Sequence, residues 1–128
     1  MEPEKLLSRE NLKNGLILEF WDRSRLLTGD RWQVAVEIRV PVAVTPENLP
    51  PELQSQGDKV NAALGEKVVF VKQEERIFVE AGEIPALVAQ LQEQLRSSLA
   101  AYLGHPEFAP RFIRKKYADH QEIKNKRP

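Results

Sequence analysis

The sequence contains no cysteine, which removes disulfides, thiolate metal sites and cysteine nucleophiles at once. Histidine is nearly as scarce. His105 and His120 are the only side chains with an ordinary pKa near neutrality, so few groups could act as a general base. Long apolar runs are missing: none approaches the roughly 18 residues of a spanning helix. The opening MEPEKLLSREN has no apolar centre of the kind a signal peptide needs. Glycine-rich phosphate loops and the Gly-x-Ser-x-Gly elbow are also missing, so dinucleotide, nucleoside triphosphate and hydrolase chemistry have no motif, and no cofactor is expected. These absences predict a cytoplasmic, bacterial protein without a membrane partner.

What is present fits an ordinary soluble domain. The 128 residues are 41% hydrophobic and 30% charged, enough to build one core without metal or disulfide staples. The net charge is zero but uneven: residues 105–128 carry seven Lys or Arg against three acids, and residues 1–104 carry twelve against sixteen. A single domain over 1–122, with a frayed basic tail over 123–128, is the expected organisation.

From Leu16 to Leu27 and from Arg31 to Val44 apolar residues alternate, the second run placing Trp32, Val34, Val36, Ile38, Val40 and Val42 on one face. This is the period of a strand. Side-chain segregation then chooses the register, since a slip of one residue moves every side chain to the other face. A two-residue Gly29-Asp30 loop sets Asp22 against Glu37 and mixes the faces. A three-residue loop over Thr28, Gly29 and Asp30 sets Phe20 against Ile38, Leu26 against Trp32 and Glu19 against Arg39. The second register is expected, with Asp30 taking the left-handed conformation at the end of the loop. It leaves Asp22 and Ser24 on the apolar face opposite Val36 and Val34. That anomaly implies a β-bulge within WDRSR, a hairpin whose distal half projects beyond the core, or a polar notch that binds a ligand, partner or backbone amine.

The stretch DRSRLLTG resembles the Asp-x-Ser-x-x-Gly signature of PilZ cyclic-dinucleotide receptors, which also use an upstream Arg-x-x-x-Arg. Here the glycine falls two positions late, and Arg9 and Lys13 give Arg-x-x-x-Lys. The resemblance is not carried into the functional expectation.

Residues 45–67 are too long for a bare connection, and Thr45-Pro46, Asp58 and Gly65 read as caps of short helical segments broken at Asn48 to Pro51. KVVFVKQEERIFVE, from Lys67 to Glu80, reads as a second hairpin turning near Gln73 to Arg76. A helix over 85–103 follows, with Pro85 in its first turn, Gly104 after its end and a stripe of Leu87, Val88, Leu91, Leu95, Leu99 and Tyr102. A second helix is expected over 110–122, burying Phe112, Ile113 and Tyr117. The predicted fold is therefore α+β: a four-stranded antiparallel sheet from two hairpins, with two C-terminal helices packed on one face.

Two surfaces are candidates for function. One is the polar notch of Asp22 and Ser24. The other is the basic face of the last helix, Arg111, Arg114, Lys115 and Lys116, which could meet phosphates but equally suits a solvated face or one docked on acidic groups of the same chain or a partner. Asp119, His120 and Glu122 match no metal-ligand spacing, and His105-Pro106-Glu107 lacks the cysteines of a zinc deaminase. The expectation is a non-enzymatic protein-interaction module acting on an unknown protein partner or by self-association through a sheet edge or the 85–103 helix. Nucleic-acid binding by the basic helix is the alternative.

Overall fold

Strand β4 (Arg31–Ala43) is the axis of the fold, because its alternate residues Val34, Val36, Ile38, Val40 and Val42 are all buried and organise the core. The computed structural model describes residues 4–126, and it is α+β. On one side of β4 lie β2 (Ile17–Asp22) and β3 (Arg25–Thr28), end to end. Beyond β2 lies β1 (Lys5–Asn11), and on the other side of β4 lies β5 (Lys67–Glu80). All pairings are antiparallel, and the sheet is four strands wide. The core is closed on one face by α2 (Ile84–Leu103) and α3 (Phe108–Lys126), while α1 (Gly57–Leu64) packs against α3.

The hairpin joining β3 to β4 contains both registers. At the tip Thr28 pairs with Arg31, the pairing of a two-residue loop. A bulge at Leu27 then shifts the register, so that Leu26 meets Trp32, Asp22 meets Val36, Phe20 meets Ile38 and Glu19 meets Arg39. The bulge places Leu18 and Phe20 on the core face with Val36, Ile38 and Val40. The expected left-handed Asp30 is corrected: Gly29 takes φ +54°, which costs a glycine nothing.

Two strands differ from expectation. β1 was not foreseen; it is joined to β2 by a Leu12–Leu16 turn in which Leu12 N–H donates to Leu16 O at 2.8 Å and Gly15 has φ +88°. The segment expected to fold back near Gln73 is instead one continuous 14-residue strand, bulged where Trp32 opposes Val79 and Val34 opposes Arg76. Phe78 occupies that bulge at φ +58°, unusual for a bulky residue. The sheet thus keeps its four-strand width, with β1 in the place of the second hairpin's extra arm.

The helices bury the faces that their sequences mark. Val88, Leu91 and Leu95 of α2 are buried as expected, but Tyr102 is largely exposed with its ring edge-on to Phe70 and Phe108, and Leu103 takes the buried position at the helix end. There the chain is tightly packed. Asn14 Nδ2 donates to Leu103 O at 2.8 Å, a carbonyl at the helix end, and to His105 O at 3.0 Å, which also accepts the Phe108 N–H. A Cβ at Gly104 would stand 3.1 Å from Ala100 O and 3.4 Å from Lys13 N, so any larger residue would have to push this backbone aside by a few tenths of an ångström. α3 begins earlier than expected, at Phe108, and continues through Lys126. The tail expected over 123–128 therefore lies partly in this helix, and residues 127–128 lie outside the described residues. Asp58 sits inside the first turn of α1 and not at its cap. No helix among the described residues is long and apolar enough to cross a membrane.

Candidate functional site

Asp22 and Ser24 flank the point where β2 gives way to β3. Asp22 Oδ1 accepts the Ser24 N–H at 2.9 Å, and Ser24 Oγ accepts the Ala35 N–H at 3.1 Å, while Arg23 N–H donates to Ala35 O at 2.9 Å. The register is the same on both sides of this interruption, so no residue is inserted. Two polar side chains on the apolar face are thereby satisfied by backbone groups of their own sheet. Ser24→Ala is expected to cost about 1–3 kcal/mol, because it strands the N–H of the buried Ala35. Asp22→Asn keeps the acceptor oxygen and should change stability by less than about 1 kcal/mol. Urea titrations of the two variants test this, and an Asp22→Asn loss as large as that of Ser24→Ala would refute the assignment.

The basic helix face is only partly open. Arg114 donates through Nε and Nη2 to the two carboxylate oxygens of Glu52, in the crossover between β4 and β5. Lys115 Nζ lies 3.8 Å from Asp119, and Lys116 Nζ lies 5.5 Å over the Phe112 ring. Arg111 is exposed on the same helix. The four cations are therefore brought to one helix, but Arg114 docks on acidic groups of the same chain. His105 Nδ1 accepts the Glu107 N–H at 3.0 Å in the turn before α3, and His120 lies on the helix about 20 Å further on at 1.5 Å per residue. Among the described residues no three His, Asp or Glu side chains converge as a metal centre.

On the face of the sheet away from α2 and α3 lies a charge network not foreseen in the sequence. Glu37, only 5% exposed, accepts from Arg23 Nη1 at 3.1 Å and from Arg39 Nε. Arg39 also clasps Glu4 with both terminal nitrogens, at 2.6 and 3.3 Å, and its guanidinium stands 4.5 Å over the Trp21 ring. Trp21 Nε1 in turn donates to Glu19, which lies 3.7 Å from Arg9. The available signal was Glu37-Ile38-Arg39, charges at the two positions flanking a core residue in an apolar strand. Among the described residues, the buried charge of Glu37 is matched within the face itself.

These ion pairs set a pH dependence with a definite sign. Arg39 holds the Glu4 carboxyl below its ordinary value, Arg114 does so for Glu52, and Arg96 does so for Glu93. A depressed folded pKa adds stability that is complete above the unfolded value of 4.5 and disappears as pH falls through the folded value. The urea midpoint should be level near neutrality and decline below pH 4.5. A midpoint that rises on acidification would contradict these pairs.

The remaining feature is the open edge of β5. Among the described residues this strand pairs with β4 alone, and Val71, Ile77 and Phe78 are 52%, 59% and 63% exposed. No protein-family model, no curated protein and no solved structure matches this chain.

Proposed function

We propose that the protein is a small, cytoplasmic, non-enzymatic module that binds another protein through the open edge of β5. The observation that carries this reading is a 14-residue edge strand lined with exposed apolar side chains. Proteins usually shorten, cover or interrupt such an edge, since its unpaired backbone groups are a template for another strand. Lys72, Glu74, Glu75 and Arg76 make the edge soluble without covering it. The nucleic-acid alternative has less support, because Glu52 binds Arg114 and Asp119 stands beside Lys115.

The test is photo-crosslinking in cells, with a photoreactive residue placed singly at Val71, Ile77, Arg111 or Lys115. The expected result is protein adducts from the two β5 positions. Adducts to nucleic acid from the α3 positions, with none to protein from β5, would overturn the reading. An oligonucleotide titration at two salt concentrations adds an independent arm: phosphate binding would fall steeply with salt and be abolished by Arg114→Glu with Lys115→Glu.

A further inference from the structure

We propose that the partner seated on this edge is a second copy of the chain, with the two β5 strands paired antiparallel about a two-fold axis at Gln73. The proposal rests on the edge-binding reading above and names its occupant. It starts from the direction of the backbone groups. Ala35 bonds through both its N–H and its C=O to the β2–β3 side, whereas Val44 N–H donates to Glu66 O on the β5 side. Backbone groups in an antiparallel sheet alternate with period two. Glu75 opposes Ala35, so it and Gln73, Val71 and Val69 turn their N–H and C=O groups to the open edge.

A two-fold axis between antiparallel strands stands perpendicular to the sheet, so each residue meets one whose side chain lies on the same face. Charge then selects the centre. Centring on Lys72 opposes Lys72 to itself. Centring on Glu74 opposes Glu74 to itself and Lys72 to Arg76, and centring on Glu75 opposes Glu75 to itself. Centring on Val71 leaves the end of the strand unpaired. At Gln73 no like charges meet: Lys72 faces Glu74 twice by symmetry, Phe70 faces Arg76, Val71 faces Glu75 and Val69 faces Ile77.

The bulge extends the match. The extra residue Phe78 shifts the pairing beyond it by one, bringing Val68 opposite Val79 and Lys67 opposite Glu80, on matching faces. The full strand is used. Lys72 has no ion-pair partner of its own among the described residues. The two halves of β5 complement each other as the arms of a hairpin would, which is why the sequence reads as one. Within a single continuous strand Glu74 reaches Arg76 at 3.9 Å but Lys72 is left without an ion-pair partner among the described residues, and a second copy supplies one.

Sedimentation equilibrium of the full chain is expected to give twice the 14.7 kDa chain mass. Lys72→Glu and Glu74→Lys each set like charges against each other at two places, and each should weaken the dimer by about tenfold or more. Mixing the two single variants should give a heterodimer, because both opposed pairs then become Glu with Lys. The double variant should recover the homodimer for the same reason. Amide exchange at Val69, Val71, Gln73 and Glu75 should be slow in the dimer and fast in either single variant.

A chain that stays monomeric at millimolar concentration overturns the proposal, as does a dimer indifferent to both charge reversals. If that monomer still crosslinks from Val71 to a different protein, self-pairing fails and the edge-binding reading stands. If β5 gives no protein adduct at all, both fail.

Discussion

Truncating Phe20 to alanine is expected to cost about 3–5 kcal/mol of folding stability, a large part of the roughly 5–15 kcal/mol that holds a domain folded. Phe20 is fully buried in β2, opposite Ile38 and beneath α2. Its removal takes away the largest of the buried side chains in the sheet and leaves a cavity that rigid neighbours on β4 fill only partly. The ring is also a platform. The Arg96 guanidinium stands 5.0 Å over it while donating to Glu10 on β1 and pairing with Glu93 on its own helix. Losing the ring thus loosens the attachment of α2 to the outer strand, adding about 0.5–1 kcal/mol. Phe20→Leu, which keeps most of the volume, should cost only about 1 kcal/mol. Urea midpoints with unchanged slopes would measure both. A Phe20→Ala loss below about 1 kcal/mol would mean that this position is not packed as described.

The second large effect belongs to Arg39. Arg39→Met keeps the length of the side chain but withdraws its charge from the nearly buried Glu37, which is left with Arg23 alone, and from Glu4. Stranding a buried carboxylate costs about 3–5 kcal/mol when no partner remains. With Arg23 still present at 3.1 Å, about 2–3 kcal/mol is the expected loss. Withdrawal of the cation from the Trp21 ring adds to it. Glu37→Met with Arg39→Met should be more stable than Arg39→Met alone, because the charge that had been stranded is gone. Equal instability of the single and double variants would show instead that the arginine matters only through the packing of its stem.

The parts of the fold legible in the sequence are those built by apolar periodicity. The register of β2 on β4 follows from the segregation of Leu18, Phe20, Ile38 and Val40 to one face, and α2 from its stripe through Leu91 and Leu95. β1 was not legible in that way, because Leu7 is its one residue packed on the core and its hydrogen bonds to α2 are polar, Ser8 with Gln92 and Glu10 with Arg96. The Asn14-Gly15 dipeptide between two short apolar segments was the usable signal for its turn. The continuity of β5 could not be read from its residues, since a polar run from Lys72 to Arg76 between two apolar segments is what a hairpin turn presents, and here it lies along a continuous strand. As for the candidate sites, the positions of Asp22 and Ser24 on the apolar face were legible from register. Their backbone partners depend on where β4 lies across the interruption, and Glu52 reaches Arg114 only through the tertiary path of the crossover.

The attachment of β1 and its turn to α2 has a consequence for how the chain is made. Ser8, Glu10 and Asn14 find their partners 84 to 91 residues later, at Gln92, Arg96, Leu103 and His105. The hairpins of β1, β2, β3 and β4 can close locally, yet the apolar face they create waits for α2. At roughly 5–20 residues per second of synthesis, the ~60 residues between the end of β4 and the end of α2 take about 3–12 seconds. For that interval Phe20, Val36 and Ile38 lie bare on a nascent sheet, and any factor that shields the growing chain acts on this face first.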